Sequence, residues 1–297
     1  MSRPTIWADI AVLGVAALWG ASYPVAKEAL THAPVLALIF YRFVLAAIVM
    51  SVVSYRELRR IRGPDITVAA LLGCILWAIF LAETWGVALT SATNTALLIS
   101  LCVVFTPFLE FGLRRRLPPK GVLAGAGVAV IGVLILAGGA TKFGAGDALV
   151  LLAAVLRAIM VVSTKRLLEG RQISSIALTA VQAVTVSLLT LAILTVQSGL
   201  NAATFTLNRQ AWVPVLFLSL FCTIAAFYVQ NAAVRLTSAT RVSFIMGTEP
   251  LFGFALAWLL LSEAATAHSL VGAFLIVSGT FIGLWFEAPR AQEVAPG

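Results

Sequence analysis

Arg42, Arg157 and Glu249 each interrupt a long run of apolar residues. Where water is scarce, a guanidinium can hold a carboxylate through two parallel N–H bonds. It can also do something plainer, such as tying helix carbonyls together or pairing with a nearby acid. Arg42 and Glu249 fit the plain and the functional use equally well. Glu83 and Glu110 lie nearer the ends of their runs. Aromatic residues recur around these charges at helical spacing. Trp19 and Tyr23 are one turn apart, as are Trp77 and Phe80, with Thr84 a further turn on; Phe221 and Tyr228 lead to Asn231. Such faces can stack against flat or cationic ligands, or simply pack against neighbours and lipid. Pro107 and Pro250 each remove a backbone donor and serve as hinges or as packing.

The elements that must position these residues follow from composition. Of 297 residues, 61% are hydrophobic and only 11% charged, and the mean hydropathy is +1.04. A soluble domain is about a quarter charged, so the excess apolar surface predicts contact with lipid. Apolar spans fall near 8–28, 34–53, 66–87, 93–113, 121–140, 147–166, 173–197, 212–235, 239–261 and 268–287. Each is long enough for a helix to cross the bilayer, and the alternation expected of a β-barrel is absent. With the N-terminus in the cytoplasm, 15 of the 20 Lys and Arg fall in cytoplasmic segments. Only Lys27, Lys142 and Arg209 fall on the other side, and Arg42 and Arg157 lie within spans. That bias predicts an all-α membrane protein of ten transmembrane helices with both termini cytoplasmic. The net charge of +8 is thereby assigned to topology and not to nucleic acid. Trp7, Trp85, Trp212 and Trp285, near span ends, read as an interfacial belt. Cys74, Cys102 and Cys222 show no ligand spacing and read as small buried hydrophobes. No cofactor or metal site is expected. The sequence also lacks HExxH, GxSxG and paired membrane aspartates, and His32 and His268 lie at span ends, so no catalytic residue is assigned.

The pentapeptide LTSAT occurs at Leu89–Thr93 and again at Leu236–Thr240, 147 residues apart. The same offset carries Gly125 and Gly132 onto Gly272 and Gly279, Glu83 onto Gln230, and Thr84 onto Asn231. Nearer the start of each half, Asp9 and Lys27 match Asp147 and Lys165, and Trp19 matches Arg157. The repeat thus places a cation where symmetry asks for an aromatic, and this favours a ligand role for Arg157. The expected domains are 1–140 and 141–290, five helices each, with 291–297 as a short tail. An odd number of helices per copy means that the second copy enters the membrane inverted, as in many secondary transporters. Paired polar positions on spans 3 and 8 predict a cavity between the halves. The patterns Gly121-xxx-Gly125 and Gly279-xxx-Gly283 suit close helix contact, within a half or across a homodimer.

ALWGASYPVAKEAL at 17–30, with Arg42 in the next span, resembles the start of an EamA-type repeat. RLTSATRVSFIMGTEPLFGFALAWLLLSEAATAHSLVGAFLIVSGTFIG at 235–283 resembles the end of one. The chain is similar over nearly its whole length to the drug/metabolite transporter superfamily, and within it to YddG-type exporters of aromatic amino acids. One departure is that Ser262-Glu263 of the second half is matched by Arg115-Arg116 in the first. The resemblance implies a ten-helix basket around a central cavity in a bacterial inner membrane. It leads to the expectation of a small-molecule carrier that exports or exchanges amino acids. Arg157 would hold the carboxylate, and Glu83, Trp19 or Trp77 the ammonium. Tyr23, Phe80, Thr84, Tyr228, Gln230 and Asn231 would complete the pocket, with Arg42, Pro107, Glu249 and Pro250 structural or gating. The competing readings are an efflux carrier for lipophilic cations, whose small relatives keep a midplane acid in helix 1 that is missing here, and an ungated facilitator.

Overall fold

The structure is a computed structural model that describes residues 3–136, 143–198, 209–261 and 266–291. Lys142, Ser262, Glu263 and most of the expected tail lie outside the described residues. No strand occurs among those described. The helices are α1 (Arg3–His32), α2 (Val35–Val53), α3 (Tyr55–Leu58), α4 (Gly63–Leu89), α5 (Ala92–Ile99), α6 (Cys102–Gly112), α7 (Lys120–Leu136), α8 (Ala145–Leu167) and α9 (Ser175–Ser198). They continue with α10 (Trp212–Ser219), a π-helical turn at Leu220–Ala225, α11 (Ala226–Leu236), α12 (Ala239–Met246), α13 (Glu249–Leu261) and α14 (Ala267–Ala291). Eight described segments are long and apolar enough to cross a membrane, and Lys120–Leu136 is a shorter apolar helix. The expected span at 239–261 is broken into α12 and α13.

The repeated LTSAT is a corner. Thr90 closes α4 and Thr237 closes α11. Ser91 and Ser238 then open the next helices, each side chain accepting an N–H three residues on, from Asn94 and Arg241, both at 3.0 Å. Each corner leads into an interrupted helix. The breaks, at Ser100–Leu101 between α5 and α6 and at Gly247–Thr248 between α12 and α13, are 147 residues apart.

Lipid gives apolar helices little hydrophobic reason to associate, so close approach through small residues does much of the work. α7 and α14 meet in this way. A methyl group added at Gly125 would lie 2.7 Å from the Gly279 carbonyl oxygen, and one at Gly132 would lie 2.8 Å from that of Gly272. These contacts exchange equivalent residues, since Gly125 matches Gly272 and Gly132 matches Gly279. The two helices are therefore antiparallel. The glycine patterns thus serve contact between the two copies within one chain. Gly121 faces Phe286 and Gly283 faces Phe244.

Other ties recur at equivalent positions, within each copy for the lysines and exchanged between the copies for the aspartates. Lys27 donates to the Ala88 carbonyl at 3.1 Å, and Lys165 to that of Arg235 at 3.2 Å. Asp9 pairs with Arg241 (2.8 and 2.5 Å), while Asp147 accepts from Asn94 (3.2 Å) and Thr90 (2.7 Å). Large apolar side chains such as Phe274, Phe281 and Val213 cover the outside, and the four span-end Trp residues are exposed, as a lipid-facing surface requires. Cys102 and Cys222 are buried, whereas Cys74 is exposed.

Candidate functional site

A narrow pocket is lined by Trp19, Leu76, Ile79, Phe80, Glu83, Arg157, Met160, Phe227 and Gln230. Three pairs of repeat-equivalent residues face one another there. The Arg157 guanidinium carbon sits 4.2 Å from the Trp19 ring centroid. Phe80 and Phe227 are 5.9 Å apart between ring centroids. Glu83 and Gln230 complete the set.

Arg157 is presented by α8 and is buried together with Glu249 of α13. Its Nη1 donates to both Glu249 carboxylate oxygens, at 3.0 and 3.2 Å. The Tyr23 hydroxyl donates to Glu249 Oε2 at 2.6 Å. Glu249 is the first residue of α13, so the break at Gly247–Thr248 sets its carboxylate at a helix N-terminus, where the backbone dipole favours negative charge. Pro250 follows at the second position of the helix, where a missing N–H costs nothing. It therefore helps to start α13 and does not bend a continuous span. Pro107 is buried inside α6. Gly20, three residues before Tyr23, allows α1 to touch the backbone of α13. A methyl group there would lie 2.5 Å from the Glu249 carbonyl oxygen.

The π-helical turn lies behind Trp19 and Arg42, which both bond to it. Its wider ladder holds carbonyls less regularly, and such turns gather at working sites. The Cys222 carbonyl accepts from Trp19 Nε1 at 2.8 Å and from Arg42 at 3.4 Å. Arg42 Nε donates to Thr223 Oγ1 at 2.6 Å, and its guanidinium carbon lies 4.6 Å from the Phe80 ring centroid. Arg42 therefore ties α2 to this turn behind the pocket.

Of the residues singled out from sequence, Trp19, Phe80, Glu83, Arg157 and Gln230 line the pocket, and Tyr23 and Glu249 stand directly behind Arg157. Besides Tyr23, four expected contacts do not line it. Tyr228 is 39% exposed on the outer surface. Asn231 is buried against α9, donating to Thr179 (3.0 Å) and Gln182 (2.9 Å). Thr84 is buried in α4. Trp77 packs against the core, and its buried indole N–H has no partner among the described residues. Phe221 and Tyr228 are both exposed, at 49% and 39%, so the side they mark is the outer one. Phe227 faces inward instead. Leu76, Ile79, Met160, Phe227 and Thr223 were not singled out. Phe227 was within reach of the 147-residue offset, which pairs it with Phe80. A wider cleft, lined by Arg60, Arg62 and Arg171 among others, lies where Asp65 pairs with Arg171 at 2.7 Å. It does not join repeat-equivalent residues.

Comparison with known proteins agrees with this arrangement. A solved crystal structure with 16% sequence identity superposes with a TM-score of 0.76 over 99% of this chain and 100% of that one, which shows a shared fold. A probable amino-acid metabolite efflux pump of Salmonella typhimurium is 26% identical over 298 residues, 95% of this chain and 96% of that protein. A probable terminal-alkyne amino-acid exporter of Streptantibioticus cattleyicolor is 26% identical over 89% of each chain. An uncharacterized transporter of Archaeoglobus fulgidus is 24% identical over 93% of this chain and 85% of its own length. Residues 6–138 and 144–285 each match the EamA-like transporter family. Together the two matches span most of the chain, which belongs to the EamA-like transporter family of membrane transporters.

Proposed function

We propose that this chain moves amino acids or closely related zwitterions, aromatic ones included, out of the cytoplasm by alternating access between two inverted five-helix halves with both termini cytoplasmic. The observation that carries this reading is the pocket where a guanidinium, an acid and aromatic rings set edge-on or tilted to one another come together from both copies. Arg157 receives the substrate carboxylate, Glu83 the ammonium, and Trp19, Phe80 and Phe227 the side chain. Two relatives named for amino-acid efflux support the substrate class. Radiolabelled phenylalanine flux in proteoliposomes tests it. The wild type is expected to carry phenylalanine, and Arg157→Lys, which keeps the charge but loses the planar fork, to lower flux roughly tenfold or more. Saturable transport of a lipophilic cation with no phenylalanine flux would favour the efflux of cations instead, for which Glu83 beside Trp19 is the supporting feature.

Alternating access requires a tie at each end of the pocket. Asp9–Arg241 joins the two copies at the N-terminal end of α1, and Asp147–Asn94 joins them at the N-terminal end of α8. In the inverted arrangement the first faces the cytoplasm and the second the outside. Arg241→Ala is expected to speed labelling of a cysteine placed at Gln230 by a cytoplasmic, membrane-impermeant maleimide several-fold. Unchanged labelling from both faces would remove Asp9–Arg241 as the inner tie.

A further inference from the structure

We propose that Glu249 is a built-in counter-ion for the empty carrier, so that the protein releases its substrate in net efflux and does not depend on exchange. The proposal rests on the amino-acid reading above. Arg157 faces the pocket and stacks on Trp19, yet it is already paired on its other side. Glu249 takes N–H bonds on both oxygens, and their side chains are only 8% and 1% exposed. Tyr23 holds the same carboxylate from α1. Glu83, the other acid of the pocket, forms no ion pair with Arg157 among the described residues.

A carrier must return empty after each release if it is to move substrate in one direction. A bare guanidinium at bilayer depth disfavours that return roughly a hundredfold. Where only the substrate supplies the balancing carboxylate, the carrier waits for a second substrate on the far side and behaves as an exchanger. Here the protein supplies that carboxylate itself. The repeat shows that the pair belongs to one copy only. Cys102 is the equivalent of Glu249 and also the first residue of its half-helix, yet its thiol is no counter-ion, and Trp19 stands at the equivalent of Arg157. At these two positions the first copy has neither cation nor acid, and the second has both. Only Nη1 is committed to Glu249, so a substrate carboxylate can take the remaining guanidinium N–H groups while Nη1 and the Tyr23 hydroxyl keep Glu249 in place.

The test uses purified full-length protein in liposomes loaded with radiolabelled phenylalanine. Efflux is followed into buffer without amino acid and into buffer containing unlabelled phenylalanine. For the wild type the two rates are expected to agree within about tenfold. Glu249→Gln is expected to lower efflux into empty buffer roughly a hundredfold while exchange falls only a few-fold. Glu249→Asp is expected to keep both. A wild type that moves phenylalanine only against phenylalanine would overturn the proposal, whether or not the variant folds. So would a Glu249→Gln protein that slows both modes equally. No phenylalanine movement by the wild type in either mode would overturn the substrate reading, and this proposal with it.

Discussion

Replacing Arg157 with alanine is expected to abolish amino-acid flux and to destabilise the protein by about 3–5 kcal/mol. The loss of stability comes from what stays behind. Glu249 is almost fully buried, and two of its three side-chain hydrogen bonds come from Arg157 Nη1. Without the cation, an anion remains in a water-poor interior with one hydroxyl for company, and breaking a buried pair in this way costs far more than the pair contributes when intact. The loss of flux comes from the missing carboxylate ligand. The two effects separate in a double variant. Arg157→Met with Glu249→Met removes both charges and is expected to regain most of the lost stability, because apolar replacement of a whole buried pair is often neutral or better. It is expected to regain no flux. Thermal unfolding in detergent and proteoliposome transport read the two quantities. Recovery of transport in the double variant would show that Arg157 serves the fold alone.

Gly279→Val is expected to prevent accumulation of folded protein. A methyl group at Gly279 would lie 2.4 Å from the Ala129 nitrogen and 2.6 Å from the Gly125 carbonyl oxygen. Both neighbours are backbone, so neither can turn aside as a side chain would. The helices must part, and parting breaks the exchanged glycine contacts along the rest of the α7–α14 seam. Overpacking a core ordinarily costs about 1–3 kcal/mol, and a rigid backbone seam lies at or beyond the upper end. Gly127→Val is the control. Gly127 is on α7 as well, but a methyl group there meets nothing within 4 Å, and the variant is expected to fold and transport as the wild type. Monodisperse yield on size-exclusion chromatography measures both.

Much of this architecture was legible because the chain repeats itself. The offset of 147 located the glycine seam, the corners at LTSAT and the pairing of Glu83 with Gln230. The unequal pair Trp19 and Arg157 pointed to the one cation that lines the pocket. Three features carried no such signal. The partnership of Arg157 with Glu249 spans 92 residues of chain, and nothing local distinguishes an acid that will meet a cation from one that will meet a ligand. Tyr23 shares a helical face with Trp19, as the spacing predicted, but its hydroxyl turns to Glu249 and not to the pocket. The π turn is invisible in composition, and the spacing of Phe221 and Tyr228 does not say which side of the helix faces inward: both are exposed, while Phe227 lines the pocket and Asn231 packs against α9. The breaks at Ser100–Leu101 and Gly247–Thr248 also escaped notice, although their equal spacing follows the repeat. Pro107 and Pro250 are the sequence's hinge candidates in spans 4 and 9, and the breaks precede both.

The account stands on two copies of one unit set in opposite directions across the bilayer. Leu89 and Leu236 open the two LTSAT corners, and both are exposed, at 60% and 56%. In a protein with Cys74, Cys102 and Cys222 replaced by alanine, single cysteines at these two positions can be labelled with a membrane-impermeant maleimide in vesicles of known orientation. The inverted arrangement predicts that Leu89→Cys reacts only from the outside and Leu236→Cys only from the cytoplasmic side. Reaction of both from the same face would contradict it.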